Sequence, residues 1–301
     1  MNPAPYVGRF APSPTGPLHF GSLVAAVASF LDARAANGRW LVRMEDLDRP
    51  RCDQASADTI LRQLEAYGLH WDGTVLYQSQ RDDAYAEALA TLQAVGAVYP
   101  CACTRSQLAH APRNHEGEIV YPGTCRNGLP AGAIARAWRV RVPDVSTRFH
   151  DRIHGDLEQN LARDVGDFVV KRADGLFAYQ LAVVVDDAFQ DITHVVRGAD
   201  LLWNTPRQIY LQGLLGLPTP GYAHVPLITN AAGQNLSKQT LAPALPEAGR
   251  GAVLARALAT LGHPAPPELN DTGPAQLLAW ASAHWQIKNV PLHPAIANAA
   301  P

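Results

Sequence analysis

The sequence predicts an α/β fold with a parallel sheet, one irregular insertion and a small helical region near the C-terminal end. Over roughly the first hundred residues, short apolar runs alternate with segments of helical periodicity, a pattern typical of a parallel sheet covered by helices. Between residues 99 and 163 the periodicity is lost, and three of the four cysteines lie there. The 301 residues, 47% of them hydrophobic and 17% charged, are ample for one large or two modest domains.

The first elements are predicted as strand, loop and helix. The apolar run Tyr6–Phe10 predicts a strand, and the three prolines between residues 11 and 17 exclude both a helix and an inner strand there. Helical spacing then continues over Ser22–Ala36, with Ser22 as the expected N-cap and Gly38 as the stop.

The same reasoning gives the other elements. The expected strands are Trp40–Met44, Asp167–Arg172 and Ala178–Val185, and the expected helices are Ala55–Tyr67, Asp82–Val95, Leu201–Leu215, Ala252–Leu261 and Pro274–Trp285.

Charge and hydropathy exclude some classes of protein. With 25 basic and 27 acidic side chains the net charge is −2, so a nucleic acid would need a local basic patch. Arg136, Arg139 and Arg141 in the strand-like run Ala135–Val142 are a candidate row, although a solvated sheet face explains them equally well. No apolar run approaches the roughly 20 residues of a membrane span, and Met1–Pro5 lacks the features of a secretory signal. We therefore expect a cytoplasmic protein without a membrane partner.

The cysteines of the insertion predict a zinc site. Cys101 and Cys103 are separated by one residue, and Cys125 follows after 21 more. Three thiolates suit zinc, which prefers four ligands in a tetrahedral arrangement. His110 and His115 are chemically ordinary candidates for the fourth position. The alternative is three unrelated buried thiols.

Two segments have the chemistry of a nucleotide site. His19–Ser22 lies between a predicted strand and helix, where unpaired N–H groups can hold phosphate, where Gly21 lets a ligand approach and where His19 can donate a hydrogen bond. Gly233–Gln239 is a glycine-led loop in which Lys238 can place a positive charge over a triphosphate. A capped proline-rich turn and a solvated loop are the respective structural alternatives.

Together these segments resemble the paired signature motifs of class I aminoacyl-tRNA synthetases. Phe20 and Ser22 replace the Ile and His of the first motif, and Asn235, Leu236 and Gln239 replace the Lys, Met and final Ser of the second. Further blocks are similar to the glutamyl-tRNA synthetase branch of that class: Gly8–Gly16, Arg43–Asp48, Tyr179–Ala182 and His194–Leu202.

The resemblance implies a Rossmann-like parallel sheet of the class I type. The first half of the nucleotide-binding catalytic domain would occupy residues 1–98, a zinc-bearing insertion 99–163, the second half 164–240 and a C-terminal helical region 241–301. Only 63 residues follow Lys238, too few for the large anticodon-reading region of a full-length glutamyl-tRNA synthetase. The chain is therefore similar to the short glutamyl-Q tRNA(Asp) synthetases.

This resemblance implies an ATP-dependent ligase. Without tRNA it would activate L-glutamate with ATP and Mg²⁺ to glutamyl-adenylate, and it would then transfer glutamate to the queuosine base of tRNA(Asp). We expect a monomer. The alternatives are a minimal glutamyl-tRNA synthetase acting on tRNA(Glu), a non-catalytic paralogue that binds glutamate or ATP, and a small-molecule nucleotidylyltransferase.

The resemblance also assigns residues to roles. The expected glutamate-binding residues are Arg9, Phe10, Ala11, Pro12, Ser13, Glu45, Tyr179 and Arg197; the ATP-binding residues are His19, Gly21, Ser237 and Lys238; the zinc ligands are Cys101, Cys103, Cys125 and Tyr121, with His115 as the alternative to Tyr121.

Within these sets, the charged groups of glutamate indicate which residue would contact which part of the substrate. Arg9 and Arg197 would pair with the side-chain carboxylate, Glu45 would hold the α-ammonium, and Tyr179 would close the pocket with its hydroxyl. His19 and Lys238, the expected catalytic residues, would touch the phosphates. The plain structural alternatives are a surface ion pair of Arg197 with Asp200 or Asp191, a Glu45–Arg43 pair and a core position for Tyr179.

Overall fold

The computed structural model describes residues 5–114, 117–230, 242–269 and 272–293, and the backbone of residues 295 and 296. Its strands are β1 Val7–Phe10, β2 Arg39–Met44, β3 Leu76–Tyr77, β4 Val98–Cys101, β5 Ala137–Val140, β6 Ser146–Asp151, β7 Gly155–Asn160, β8 Val169–Lys171, β9 His194–Gly198, β10 Gly221–Val225, β11 Ile228–Thr229 and β12 Ala295–Ile296. Its α-helices are α1 Phe20–Ala35, α2 Gln54–Ala66, α3 Asp82–Ala94, α4 Leu161–Asp164, α5 Tyr179–Phe189, α6 Thr205–Leu215, α7 Arg250–Thr260 and α8 Pro274–His284.

The predicted parallel sheet is present. Strands β1, β2 and β3 pair in parallel in that order. On the other side of β1, Thr193 N, just before β9, donates to Val7 O at 2.9 Å. Strand β10 pairs in parallel with β9 and with the end of β6. The chain thus has the α/β class that its sequence predicts, with β1 and β9 side by side in the middle.

Helix α1 begins earlier than predicted, and its cap is different. The expected N-cap, Ser22, is wrong: His19 caps the helix, because its Nδ1 accepts a hydrogen bond from Ser22 N at 3.2 Å. An imidazole nitrogen at that position satisfies a free N–H as a serine oxygen would. At the other end, a Cβ on Gly38 would lie 2.4 Å from Tyr6 O, so only glycine lets the chain pass into β2.

The region after residue 166 differs most from the prediction. A strand was expected at residues 178–185, but Ala178 caps helix α5 and residues 179–185 lie in it. The short continuous apolar run 181–185 does not distinguish a buried helix from a buried strand. Strand β8, expected in the parallel sheet, pairs antiparallel with β5 of the insertion. The parallel strands that complete the sheet, β9 and β10, were not predicted. The expected helix Leu201–Leu215 is a 3₁₀ turn, Ala199–Asn204, followed by α6.

The C-terminal helices pack directly on the parallel sheet region. Leu254 of α7 and Leu277 of α8 share one apolar core with Leu23 of α1. Trp285 Nε1, just after α8, donates at 3.0 Å to the buried carboxylate of Asp32 in α1. Among the described helices, none combines the length and apolar character that a bilayer crossing requires.

Candidate active site and cysteine cluster

A cleft of about 940 Å³ opens where β1, β9 and β10 end and α1 begins. Ligands of open parallel sheets bind at this edge. The cleft brings together all of the described residues predicted to bind glutamate or ATP: Arg9, Phe10, Ala11, Pro12, Ser13, His19, Gly21, Glu45, Tyr179 and Arg197.

The second nucleotide segment, Gly233–Gln239, lies wholly outside the described residues, and so do the predicted ATP-binding residues Ser237 and Lys238 within it. The described residues on either side of that segment lie next to the first motif: Ile228 lines the cleft, and Leu245 N donates to Leu18 O at 2.9 Å.

His19 serves both the helix and the cleft. Because its Nδ1 accepts from Ser22 N, the neutral ring carries its proton on Nε2. Gly21 protects this arrangement, since a Cβ there would lie 3.2 Å from His19 Nδ1 and 3.6 Å from the Cβ of Ile228. Gly21 therefore lets the His19 ring fold over the helix N-terminus.

A buried network of charges supports one end of the cleft. The carboxylate of Asp187 accepts hydrogen bonds from Arg9 Nε at 3.1 Å and Arg43 Nη2 at 2.8 Å. Burial alone would raise the pKa of Asp187, but the two guanidinium groups hold it below its usual value. Glu45 lies 3.4 Å from Arg43 Nη2, and it also lines the cleft. The ion pair with Arg43 and the place of Glu45 in the cleft, which were predicted as alternatives, are therefore both present. Burial outweighs Arg43 and Arg9 at Glu45 and raises its pKa.

Asp187 and Arg43 were missed as site residues. The signal in the sequence was an acidic pair, Asp186 and Asp187, inside the apolar run 181–189. The first residue of the pair, Asp186, accepts hydrogen bonds from Gln78 and Tyr85 and forms an ion pair with Arg81. These three contacts fix the buried face of α5.

Arg197, at the other end of the cleft, is only 5% exposed and has neutral partners. Its Nε donates to His224 Nε2 at 3.0 Å, its Nη1 to Tyr179 Oη at 3.3 Å, and its Nη2 to Thr205 Oγ1 at 2.9 Å and Leu201 O at 3.3 Å. Within the described part of the chain, no carboxylate oxygen lies within 4.0 Å of its nitrogens. The predicted alternative, a surface ion pair, is therefore wrong.

Two neighbours complete this end. Burial raises the pKa of Tyr179, so its hydroxyl keeps its proton, and the residue lines the cleft at the first position of α5. Asp200 also lines the cleft, and burial raises its pKa.

The cysteines of the insertion converge. The Sγ atoms of Cys101, Cys103 and Cys125 all lie within 4.8 Å of one another, and these residues are wholly or partly buried. Tyr121 Oη lies 3.4 Å from Cys101 Sγ and 3.6 Å from Cys103 Sγ, and it accepts a hydrogen bond from Cys125 N at 2.9 Å. The cluster can hold a metal ion. His110 is exposed, and His115 lies outside the described residues.

Arg139 belongs to this cluster and not to an exposed basic row. It is buried, its Nε lies 3.3 Å from Cys101 Sγ, and its guanidinium stacks 3.7 Å from the centre of the Tyr121 ring. The predicted row of three arginines is therefore wrong. Although burial opposes it, hydrogen bonds from Tyr121, the backbone of Cys103 and Arg139 lower the pKa of the Cys101 thiol to about 7. A lowered thiol pKa favours the thiolate that binds metal.

The sheet, the cleft at its carboxyl edge and the cysteine insertion define a class I synthetase-type catalytic domain. The sequence model of the family "tRNA synthetases class I (E and Q), catalytic domain" matches residues 6–247. Two solved structures share the fold. The glutamate-tRNA synthetase of Elizabethkingia anophelis has a TM-score of 0.80 at 24% identity, over 98% of this chain and 68% of that one. A glutamate tRNA ligase of Elizabethkingia meningosepticum, in complex with its amino acid, has a TM-score of 0.79 at 23% identity, over 97% and 67%.

Curated relatives narrow the family. The glutamyl-Q tRNA(Asp) synthetase of Thiobacillus denitrificans is 79% identical over 301 residues, which cover both chains completely. That of Dechloromonas aromatica is 58% identical over 290 residues, or 96% of each chain. The chain therefore belongs to the glutamyl-Q tRNA(Asp) synthetases, within the class I tRNA synthetases. The resemblance predicted from the sequence is confirmed, as is the prediction of a class I synthetase-like ligase.

Proposed function

We propose that the protein activates L-glutamate with ATP to glutamyl-adenylate, without tRNA, and transfers the glutamate to the queuosine base of tRNA(Asp). The names of its relatives support this function. The structural observation that carries it is Arg197, a buried cation with only neutral partners in a cleft that also contains Arg9 and Glu45. Burying a cation whose hydrogen-bond partners are all neutral is costly, and an anionic substrate group offsets that cost.

Glutamate fits these charges. Its side-chain carboxylate pairs with Arg197 and with Arg9, whose terminal nitrogens make no hydrogen bond to any described residue. Glu45 accepts from the α-ammonium. Glutamine carries a neutral amide in place of the carboxylate, so it would leave the charge of Arg197 without a direct partner.

The activation step needs no protein nucleophile. The α-carboxylate of glutamate attacks the α-phosphorus of ATP in line, a new P–O bond forms, and the bond to pyrophosphate breaks. Positioning and charge stabilisation supply the catalysis. The N-terminus of α1 and His19 Nε2–H donate to the phosphates, Lys238 adds a positive charge, and ATP enters as its Mg²⁺ complex.

The transfer step releases AMP. A hydroxyl oxygen of the queuosine base attacks the activated carbonyl carbon, gives up its proton, and AMP leaves as the mixed anhydride bond breaks. The product is an ester of glutamate on the base. Because its substrates are cytoplasmic molecules, the reaction belongs in the cytoplasm, and we expect the enzyme to act as a monomer.

The cysteine cluster is proposed as a structural zinc site with Tyr121 as the fourth ligand. Tetrahedral zinc with Zn–S bonds of about 2.3 Å and a Zn–O bond of about 2.0 Å separates two sulfurs by about 3.8 Å and a sulfur from the oxygen by about 3.5 Å. Cys103 and Cys125 lie 3.7 Å apart, and Tyr121 Oη lies 3.4 and 3.6 Å from the sulfurs of Cys101 and Cys103. When bound, zinc would supply a cross-link for the insertion.

The acceptor is tested by labelling. The protein is given radiolabelled glutamate and ATP together with tRNA(Asp) that contains queuosine, the same tRNA without queuosine, or tRNA(Glu). We expect label only on the queuosine-containing tRNA(Asp). Label on tRNA(Glu) would replace the proposal with a minimal glutamyl-tRNA synthetase, and failure to form adenylate would favour a non-catalytic paralogue.

The role of Lys238 is tested by glutamate-dependent pyrophosphate exchange. We expect Lys238→Ala to slow exchange by about 10²-fold or more, with glutamate affinity little changed, because a positive charge on the phosphates acts mainly in the transition state. Lys288→Ala removes an exposed lysine in a C-terminal 3₁₀ turn and is the matched control, with exchange at the wild-type rate. Wild-type exchange in Lys238→Ala would refute the role.

A further inference from the structure

Behind Arg197 lie two fully buried polar residues that the proposed reaction does not use. His224 in β10 and Asp151 at the end of β6 are both 0% exposed. The register of the parallel strands places His224 beside Arg197, and it places Asp151 beside Tyr222, two residues earlier in β10. These polar groups therefore line up across three neighbouring strands, at the edge of the sheet where the cleft opens.

The hydrogen bonds form one directed chain. Asp151 Oδ2 lies 2.6 Å from His224 Nδ1, and His224 Nε2 accepts from Arg197 Nε at 3.0 Å. Since a guanidinium can only donate, the imidazole must carry its proton on Nδ1 and give it to the carboxylate. Asp151 is itself held by the turn that follows β6, where the backbone N–H groups of Ile153 and His154 donate to Oδ1 at 3.0 and 2.9 Å.

The imidazole remains an acceptor at neutral pH. Burial lowers the pKa of His224 to about 4, although its hydrogen bond to Asp151 opposes that shift. A protonated ring could not accept from Arg197 and would repel it.

The other arginine of the cleft is held differently. Arg9 Nε donates directly to the Asp187 carboxylate, so a protein anion already shares its charge. For Arg197, the nearest anion in its hydrogen-bond chain, Asp151, stands behind a neutral ring, and Tyr179 and Thr205 are neutral acceptors as well. The chain thus orients the guanidinium without neutralising it.

We infer that His224 and Asp151 are positioning residues: they fix the Arg197 guanidinium in the plane that receives an acidic side chain, and they thereby set the preference for glutamate over glutamine. The inference rests on the proposed function, because it assumes that Arg197 binds the substrate side chain. It adds a specific cause for the selectivity, namely an imidazole spacer between a buried cation and a buried anion.

Two substitutions of His224 test separately its hydrogen bonds to Arg197 and to Asp151. In His224→Gln the amide oxygen reaches the place of Nε2 and can accept from Arg197. In His224→Asn the amide reaches only the place of Nδ1, next to Asp151, and ends short of Arg197. Both replace the ring by a neutral amide, and Asn is shorter than Gln by one methylene, so an unchanged KM for ATP is the control for a general loss of packing in His224→Asn.

The readout is pyrophosphate exchange with glutamate or glutamine. We expect His224→Asn to raise the KM for glutamate by about 10-fold or more, with the KM for ATP unchanged, and to reduce the glutamate-over-glutamine ratio of kcat/KM by a similar factor. His224→Gln should stay within about 3-fold of wild type in both. Equal behaviour of the two variants, or parallel losses for ATP and glutamate, would overturn the inference.

A measurement on the wild-type protein keeps the inference testable if the variants fail to fold. In ¹⁵N-labelled protein, the His224 ring should be neutral at pH 7 with its proton on Nδ1, the less common tautomer. A ring protonated on Nε2, or on both nitrogens, would contradict the inference. Failure of the proposed function is distinguishable, because wild-type protein would then give no glutamate-dependent exchange at all.

Discussion

The cleft and the cysteine cluster are both buried polar sites, but they are built in opposite ways. The cleft takes its groups from residues far apart in the chain, and other protein groups hold each of them, as Asp187 holds Arg9 and His224 holds Arg197. The cluster takes three thiols and a phenol from residues 101–125, and these groups converge on one another. The cleft is thus preorganised by packing, whereas the groups of the cluster are placed so that they can hold a cation at its centre.

Removal of the proposed zinc ion should have the largest effect, and this effect should be confined to the insertion. Structural zinc contributes about 10–16 kcal/mol of apparent binding free energy in small zinc domains. We expect a chelator to expose residues 101–128 to protease, while the core that contains Leu23 and Leu277 stays resistant. Limited proteolysis with mass spectrometry gives the cleavage sites. Cleavage spread evenly over the chain would contradict the expectation that only the cysteine cluster, and not the cleft, depends on a metal.

A single glycine tests how the cluster is placed. Gly166 has a φ of +70°, and a Cβ there would lie 2.5 Å from Tyr121 O, so Gly166→Ala must displace the proposed fourth ligand. We expect a loss of more than about 1 kcal/mol in stability together with faster zinc release. Gly155→Ala is the control, because Gly155 has a φ of +77° but open space around it.

In the control variant Gly155→Ala, only the backbone strain at a positive φ should lower the stability. Its thermal midpoint should fall modestly, by a change worth about 1 kcal/mol, and its rate of zinc release to a chromogenic chelator should match wild type. Equal zinc release from the two variants would mean that Tyr121 does not need its observed position.

The cleft should respond to pH through Glu45, with a smaller effect. Burial raises the pKa of this carboxyl, so it takes up its proton at a higher pH than an ordinary glutamate does. As the pH falls through that raised pKa, the negative charge that would hold the α-ammonium is lost. We expect the KM for glutamate to rise several-fold between neutral and mildly acidic pH, with little change for ATP. In Glu45→Gln the KM should be high and should not vary over this range.

The sequence predicts the beginning of the chain better than its second half. Strand β1 and helices α2 and α3 follow from local signals, since prolines, caps and glycine stops lie within a few residues of the boundaries they set. Helix α5 was mistaken for a strand because its five consecutive apolar residues, 181–185, include three valines and read equally well as a short buried strand. Strand β9 was missed because its polar Arg197 interrupts the apolar run expected of a buried strand.

The same limit applies to the site. The residues of the cleft that belong to local motifs, such as Arg9 and His19, were identified from those motifs. The groups that support them, Asp187, His224 and Asp151, were not. Their importance arises from cross-strand neighbours and from contacts between elements more than 70 residues apart in the chain, which no local pattern records.

The most direct measurement is a crystal structure of the protein with glutamyl-sulfamoyl-adenosine, a non-hydrolysable analogue of the adenylate. The account predicts the side-chain carboxylate of the analogue on Arg197 and Arg9, its ammonium group on Glu45, and its sulfamoyl group at His19 beside the N-terminus of α1. An analogue bound outside this cleft, or a side-chain carboxylate with no contact to Arg197, would contradict it.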